Sequence, residues 1–565
     1  MITIERPADA DKSLAQPVGD IEETFVVPGQ TEGAQTRVRT RWPWIVAALA
    51  YVQYTLVSLW LLYVRNYSIG DALSRTATAK IMVLSRDPHL GSMGYYWLPL
   101  PTLARIPFVL ILEPFGLAEL AGPLTSSFFA VATIVVLAGI GRRLGLSVGV
   151  TAAAVGIYAM NPLTMYIAAN GMSETTLGFF LALCMYGFLR WRHDGTTVSL
   201  CITGLALGGA MASRFEALVI TPAICCFIII AAERGRRLQS AFVAALPPAV
   251  VFFLWSLASY LIMGDWLFWK TLVDELISTP IDAAWLPKDR SLVRLALHGG
   301  YLVLGLAPAV ALVIVGVFRF PRRWRTSIAV VGMILLLPAV VTWQGYQGTS
   351  WDEPRFYMLT PMMATVGVLW LIRSARGYIA WSRGFAIAGI GMLALSGVTG
   401  TLLLSDLKLT AVGGESVFFG ALLGRSEAET SISPGEGQIG YLGTVPLFEQ
   451  LERDLEPSLE AGKTVALDSI VAVPVLVSAH PRNYIIPEDR EFEQIIADPI
   501  GRVDFILRIN SRATGYGVLL ENIIGIADGG NWVHVATYGD GFVKLYEWVP
   551  TGDQPTFVPN SCCEP

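Results

Sequence analysis

The sequence predicts an all-α polytopic membrane domain of about eleven transmembrane helices, followed by a soluble C-terminal α/β domain. Three observations predict it. Of 565 residues, 53% are hydrophobic and only 15% charged, whereas a soluble domain carries about a quarter charged residues. Mean hydropathy is +0.54, and apolar runs recur at lengths suited to about 30 Å of hydrocarbon. Basic residues collect on alternate connections between those runs. This composition excludes a disordered chain, a disulfide scaffold and an ordinary soluble enzyme, and the net charge of −5 speaks against a nucleic-acid partner. The six cysteines have neither metal-ligand nor disulfide-framework spacing.

Residues 1–36 are polar, mixed in charge and rich in small side chains, and are expected to form a disordered cytoplasmic arm. The first apolar run starts too late for a signal peptide and no small-residue cleavage site follows it. Spans are expected near 44–64, 121–141, 147–168, 175–190, 198–213, 216–232, 240–262, 293–317, 327–343, 357–372 and 384–404. A further run, 98–116, carries Pro99, Pro101, Pro107 and Pro114 with Arg105 and Glu113, and reads as juxtamembrane helix in the first outer loop.

Charge supports that choice. With eleven spans and a cytoplasmic N-terminus, the inner segments hold 17 basic residues, all arginine, while the four short outer connections hold 5: Arg214, Lys270, Lys288, Arg290 and Arg355. Positive residues mark the cytoplasmic side; were 98–116 a span, the bias would reverse. The expected organisation is a membrane domain over 37–404 in the plasma membrane and an extracytoplasmic domain over 405–565. In that tail, 464–479, 491–498 and 503–509 alternate strand-like and helix-like pieces, and 532–549 reads as a hairpin turning at Gly539-Asp540-Gly541.

Ionisable residues are costly near a bilayer, so their positions point to function. In this topology they gather on the outer face. The first loop holds Asp71, Arg75, Lys80, Arg86, Asp87 and His89; Asn170-Gly171-Met172-Ser173-Glu174 lies between the third and fourth spans; Arg214 and Glu216 lie between the fifth and sixth; Asp352, Glu353, Arg355 and Tyr357 precede the tenth. Carboxylates and guanidinium groups on four connections suit a site for a polar or phosphorylated head group.

The ordered set of Asp71 after the first span, an LPLP segment closing a long loop, the GMSE and SRFEA turns, and EPRFY before a late span resembles the GT-C glycosyltransferases, over roughly residues 44–375. These are polytopic enzymes that take sugar from a polyprenyl-phosphate donor, among them protein O-mannosyltransferases and aminoarabinose transferases. The resemblance implies a membrane glycosyltransferase working on the outer face, with Asp71 as general base, a polyprenyl-phosphate-linked sugar donor, and an envelope glycan, lipid or protein as acceptor among the membrane lipids. Family members often carry two adjacent acids, whereas Gly70 and Ala72 flank a single Asp here. Some use a divalent metal such as Mg or Mn, to which Asp87 and His89 could contribute ligands.

Residue chemistry fits these roles. The acceptor hydroxyl must lose a proton to a carboxylate, and the departing phosphate calls for cations, best arginine with its bidentate fork. Arg355, with Tyr357 beside it, leads the phosphate candidates, followed by Arg75, Arg86 and Arg214; Glu174, Glu216, Asp352 and Glu353 would orient cations or sugar hydroxyls. Each has a plainer alternative: Asp71 as a solvated helix cap, Ser173-Glu174 as a helix start with Ser173 as cap, Arg214 and Glu216 as a structural pair, and Arg355 as a snorkelling residue, with catalysis favoured for Asp71 and function for Arg355. A lipid-linked-sugar flippase is the rival function. It would place polar groups along the spans at mid-depth, and most of these spans are clean there.

Overall fold

The computed structural model describes residues 41–94, 97–271, 291–319, 324–347, 354–375, 379–406, 415–422, 444–467, 472–509, 531–539, 541–550 and 552–557. It is a helical bundle joined to a small mixed sheet. The arm over 1–36, Asp352, Glu353, Lys288, Arg290 and Asp540 lie outside the described residues.

Helix α1 (Trp42–Tyr63) leads into α2 (Gly70–Leu84), and the proline-rich run folds as two short helices, α3 (Pro99–Leu103) and α4 (Ile106–Leu112). Prolines at the first positions of both, with Arg105 between them, start each helix and stop it from continuing as one long rod. The bundle continues with α5 (Ala121–Arg143), α6 (Val148–Ala159), α7 (Pro162–Ala169), α8 (Glu174–Asp194), α9 (Thr197–Met211), α10 (Ala217–Ala231) and α11 (Arg237–Met263). It closes with α12 (Leu292–Leu306), α13 (Ala309–Arg319), α14 (Trp324–Gln347), α15 (Leu359–Ala375) and α16 (Ile379–Leu404).

Six of these helices are long and apolar enough to cross a membrane, and eight spans result if each bent pair counts once. The pair α6–α7 bends by 58° and α12–α13 by 100°. Pro162 and Pro308 follow the breaks, where a missing N–H cannot continue the ladder. Helices α9 and α10 are shorter apolar helices. Small residues let backbones approach: a Cβ on Gly204 of α9 would stand 3.0 Å from the Ala244 carbonyl oxygen of α11.

After α16, helix α17 (Glu415–Leu422) packs back on the bundle, placing Val417, Phe418 and Phe419 in its core. The tail then forms α18 (Thr444–Glu460), α19 (Val473–Val477), α20 (Phe492–Ala497) and a five-stranded sheet. Its strands are β1 (Val465–Leu467), β2 (Tyr484–Ile485), β3 (Phe505–Ile509), β4 (Trp532–Tyr538) and β5 (Val543–Trp548), in the order β2-β1-β3-β5-β4. The β1 pairings to β2 and β3 are parallel; β3–β5 and β4–β5 are antiparallel, with Tyr538 opposite Val543. The expected hairpin is therefore present, and Gly539 and Gly541 take the positive φ its turn requires. The run 464–479 splits into a strand and a helix.

One sheet face, with Val465, Leu467, Phe505, Leu507 and Leu545, shares a core with α18, α19 and the Leu73, Ala77 and Ile81 side of α2. The opposite face, with Ala466, Ile485 and Ile506, is covered by Phe492, Ile495 and Ile496 of α20. Helix α2 thus joins bundle to sheet.

Candidate active site

Asp71 is the second residue of α2, whose N-cap is Ile69. It is not the cap: it sits in the first turn, where a carboxylate is favoured by the helix dipole. Its Oδ2 lies 3.4 Å from Arg355 Nη1, and 41% of its side chain stays exposed. Burial pushes its pKa up, but Arg355, Arg75 and Arg214 outweigh that and hold it below the ordinary carboxylate value. Arg75, one turn along the same helix, donates to the Asp71 carbonyl at 3.3 Å and stacks 3.7 Å over the Trp97 ring.

Arg355 belongs to a one-turn 3-10 helix, Pro354–Tyr357, entering α15. Its side chain is 11% exposed, too little for a snorkelling residue, and its backbone N–H donates to Glu415 Oε1 at 3.0 Å. The Tyr357 ring is fully buried. A Cβ on Gly299 of α12 would come within 2.9 Å of its hydroxyl, so Tyr357 turns into the bundle.

Arg214 is held by two acids, with Glu174 at 2.9 Å and Glu216 at 2.7 Å, and it donates to Ser173 Oγ at 3.0 Å. This is the geometry of the structural pair, extended to three charges. Ser173 does occupy the N-cap of α8, but its backbone is helical (φ −70°, ψ −14°) and its side chain makes no cap bond; its hydroxyl accepts from Arg214 instead. Asp71, Arg75, Glu174, Arg214, Glu216 and Arg355, from four connections, therefore come together, as their distribution along the chain predicts.

Arg86, Asp87 and His89 do not join them. Helix α2 is 15 residues long, which puts them roughly 20 Å from Asp71. Asp87 is bound through both carboxylate oxygens by Arg490, which also donates its backbone N–H at 3.0 Å and its Nε at 2.9 Å. Arg86 faces Glu491 at 3.9 Å, and His89 Nδ1 accepts from the Ser92 N–H at 2.8 Å. A carboxylate saturated by a guanidinium offers no site to a cation, and Asp71 faces guanidinium groups. Neither donor set fits a divalent metal, and no cluster of three His, Cys, Asp or Glu occurs among the described residues.

Two residues that carry the site escape sequence reading. Arg105, read only as an argument against a span, is 2% exposed. Its guanidinium donates to the Ala72 carbonyl at 3.0 Å, to Thr76 Oγ1 at 3.3 Å and to the Gly171 carbonyl. It thereby pins α2 to the turn before α8, where Gly171 adopts φ +74°. Glu415 is the other. The sole sequence signal for either is a charge at the edge of an apolar run.

An apolar cavity of about 260 Å³ is lined by Met93, Leu98, Phe215, Val251, Trp255 and Trp269 among others. Two of its lining residues, Leu98 and Phe215, are the chain neighbours of Trp97 and Arg214.

A bundle of bent apolar helices, with an acid and arginines where it meets a small C-terminal sheet, is the frame of a multi-pass membrane protein. Residues 108–262 match the family described as dolichyl-phosphate-mannose-protein mannosyltransferase. The crystal structure of ArnT from Cupriavidus metallidurans bound to undecaprenyl phosphate is similar over 92% of this chain and 100% of that one, with TM-score 0.51 and 15% identity. The oligosaccharyltransferase of Archaeoglobus fulgidus aligns over 92% of this chain and 76% of its own, with TM-score 0.42 and 12% identity. A comparison with curated proteins finds no match. The resemblance to GT-C glycosyltransferases read from the motifs is thus met by a family match and by a shared fold.

Proposed function

We propose that this protein is a membrane glycosyltransferase that moves a sugar from a polyprenyl-phosphate donor to a glycan, lipid or protein acceptor of the cell envelope, at the outer face of the plasma membrane. One observation carries the reading: an accessible carboxylate, Asp71, kept ionised by Arg355, 3.4 Å away, and by Arg75 one turn along its own helix. In the reaction, the acceptor hydroxyl oxygen bonds to the anomeric carbon as the bond from that carbon to the phosphate oxygen breaks. Polyprenyl phosphate leaves with the electron pair, and the hydroxyl proton passes to Asp71. Arg355 and Arg75 stabilise the charge growing on the phosphate, while the cavity takes the first isoprene units. Glu174, Arg214, Glu216 and Arg105 hold these groups in place. The undecaprenyl phosphate bound to ArnT, the relative whose fold this chain shares, supports a donor of this class.

The same reading places eleven spans in the membrane, the N-terminus and residues 1–36 in the cytoplasm, and the 405–565 domain outside, on the strength of the 17-to-5 basic asymmetry. All eleven apolar runs fall on helices or bent helix pairs. In a background without the native cysteines, Ala461→Cys should react with a membrane-impermeant thiol reagent in intact cells and Glu233→Cys should not. The function itself is tested by incubating purified protein with short-chain polyprenyl-phosphate sugars and an envelope extract, then following sugar incorporation and polyprenyl phosphate release. Donor binding without any release would defeat the proposal and favour a carrier.

A further inference from the structure

Glu415 stands 60 residues from Arg355 in sequence, beyond the last long helix of the bundle, yet it is fully buried and its Oε1 accepts the Arg355 backbone N–H at 3.0 Å. We infer that Glu415 is a positioning residue for the reaction, setting the place of the Arg355 guanidinium against Asp71. The inference rests on the proposed function.

Three features support it. The first is the acceptor's target. The bond is made to the main chain of Arg355 in the 3-10 turn, and a backbone donor buried next to a bundle core must be satisfied. Fixing that N–H fixes the root of the side chain whose Nη1 stands 3.4 Å from Asp71. The second is anchoring. Helix α17 starts at Glu415, and three residues on, Phe418 meets Tyr67 edge-on at 5.9 Å and Tyr166 edge-on at 5.1 Å. Tyr67 lies four residues before Asp71, and Tyr166 lies on α7, whose C-terminal end leads into the Gly171 turn. The carboxyl of Glu415 is thus delivered from an element packed on both sides of the site. The third is economy of geometry: the 3-10 turn and α2 are brought together by the Asp71–Arg355 contact, and Glu415 with Phe418 supplies a second, independent brace from that turn to Tyr67, in the segment leading into α2. A reacting geometry that loosens by 1 Å loses about 10²-fold in rate, so a residue that touches no substrate can still govern turnover.

The experiment uses full-length protein in detergent with three variants: Glu415→Gln, Glu415→Asp and Glu415→Ala. Two quantities are read on each, the affinity for a short-chain polyprenyl phosphate and turnover of the corresponding sugar donor. Gln keeps an acceptor oxygen at the same reach and should stay within about threefold of the parent on both. Asp keeps the charge but withdraws the oxygen by one methylene, so turnover should fall at least tenfold, and Ala should fall further. Combined with Arg355→Ala, Glu415→Ala should cost less than threefold more, because its effect runs through Arg355. A purely structural residue would give an additive loss instead, and a field effect of the charge would rank Asp above Gln. Either result overturns the inference, as does parent-like turnover and binding in Glu415→Ala. A parent that binds no polyprenyl phosphate overturns the proposed function first, and the inference with it.

Discussion

At the N-terminal end of α2, Asp71 leaves 41% of its side chain exposed and meets Arg355 across 3.4 Å. Nine residues further along the same helix, Lys80 is 2% exposed, pairs with Glu113 at 2.7 Å and donates to the carbonyls of Leu476 at 2.9 Å and Ser478 at 2.7 Å. Burial pushes the Lys80 pKa down, and Glu113 only partly restores it. The Lys80 ammonium spends all three donors on fixed protein acceptors, two of them in the sheet domain, and has none left for a ligand. Around Asp71, by contrast, Arg355 reaches a carboxylate that keeps 41% of its side chain exposed. One ion cluster ties the helix to the C-terminal sheet; the other leaves its carboxylate partly open. Burial and saturation, rather than the number of charges, separate the Lys80 ion pair from the proposed reaction site at Asp71.

Breaking the docking end should give the largest effect. Lys80→Ala leaves two buried carbonyls and the half-buried Glu113 without their partner, which should cost about 3 kcal/mol of stability. Thermal unfolding in detergent would register it as an early melt, while the protein still folded at low temperature should turn over donor within a few fold of the parent. Equal melting temperatures would show that the cluster does not dock the sheet.

The site end should answer in the opposite way. Arg355→Ala should remove roughly 2–4 kcal/mol of transition-state stabilisation and leave the melting temperature near the parent's. Arg355→Lys should keep part of the activity, since the charge remains and the fork is lost. An Arg355→Ala protein that melts early but turns over normally while folded would make Arg355 structural.

A subtler test uses proton linkage. Asp71 is held below the usual carboxylate pKa, so the acid limb of kcat/KM should fall below about pH 4 in the parent. Removing Arg355 withdraws a favourable charge, so Asp71 should titrate higher and the acid limb should move up in pH. A limb that stays in place would mean that another group is the base.

The smallest effect lies at the contact between the first loop and the sheet domain. Burial raises Asp489 to about 6 from its ordinary 3.8. Between those values the folded state keeps a proton that the unfolded chain releases, so stability falls as pH rises from about 4 to 6. Asp489→Asn should flatten that dependence and gain about 1 kcal/mol at pH 7, allowing for solvent screening. Unfolding midpoints of the two proteins at pH 4.5 and 7 would read it.

The convergence of four connections is legible in the sequence because charge is scarce there, and each acid or arginine beside an apolar run stands out. Spans and the terminal hairpin are legible through their apolar periodicity and glycine turn. The saturation of Asp87 by Arg490 is not, since the two lie 403 residues apart and a loop carboxylate looks the same whether it binds metal or guanidinium. Nor are the roles of Arg105 and Lys80, which bind backbone carbonyls, and a carbonyl leaves no mark in a sequence. Glu415 escapes for a related reason: its target is a main-chain N–H. The bends at Pro162 and Pro308 are written as prolines inside apolar runs, but a proline gives a break without its angle.

The central claim is that the exposed end of α2 does chemistry. Asp71→Asn keeps the side chain's shape and removes its ability to take a proton. Purified parent and variant should be compared with the same short-chain polyprenyl-phosphate sugar, measuring donor binding and release of polyprenyl phosphate. The account predicts unchanged binding within a few fold and a fall in release of about 10²-fold or more. Release at the parent's rate from Asp71→Asn would contradict it.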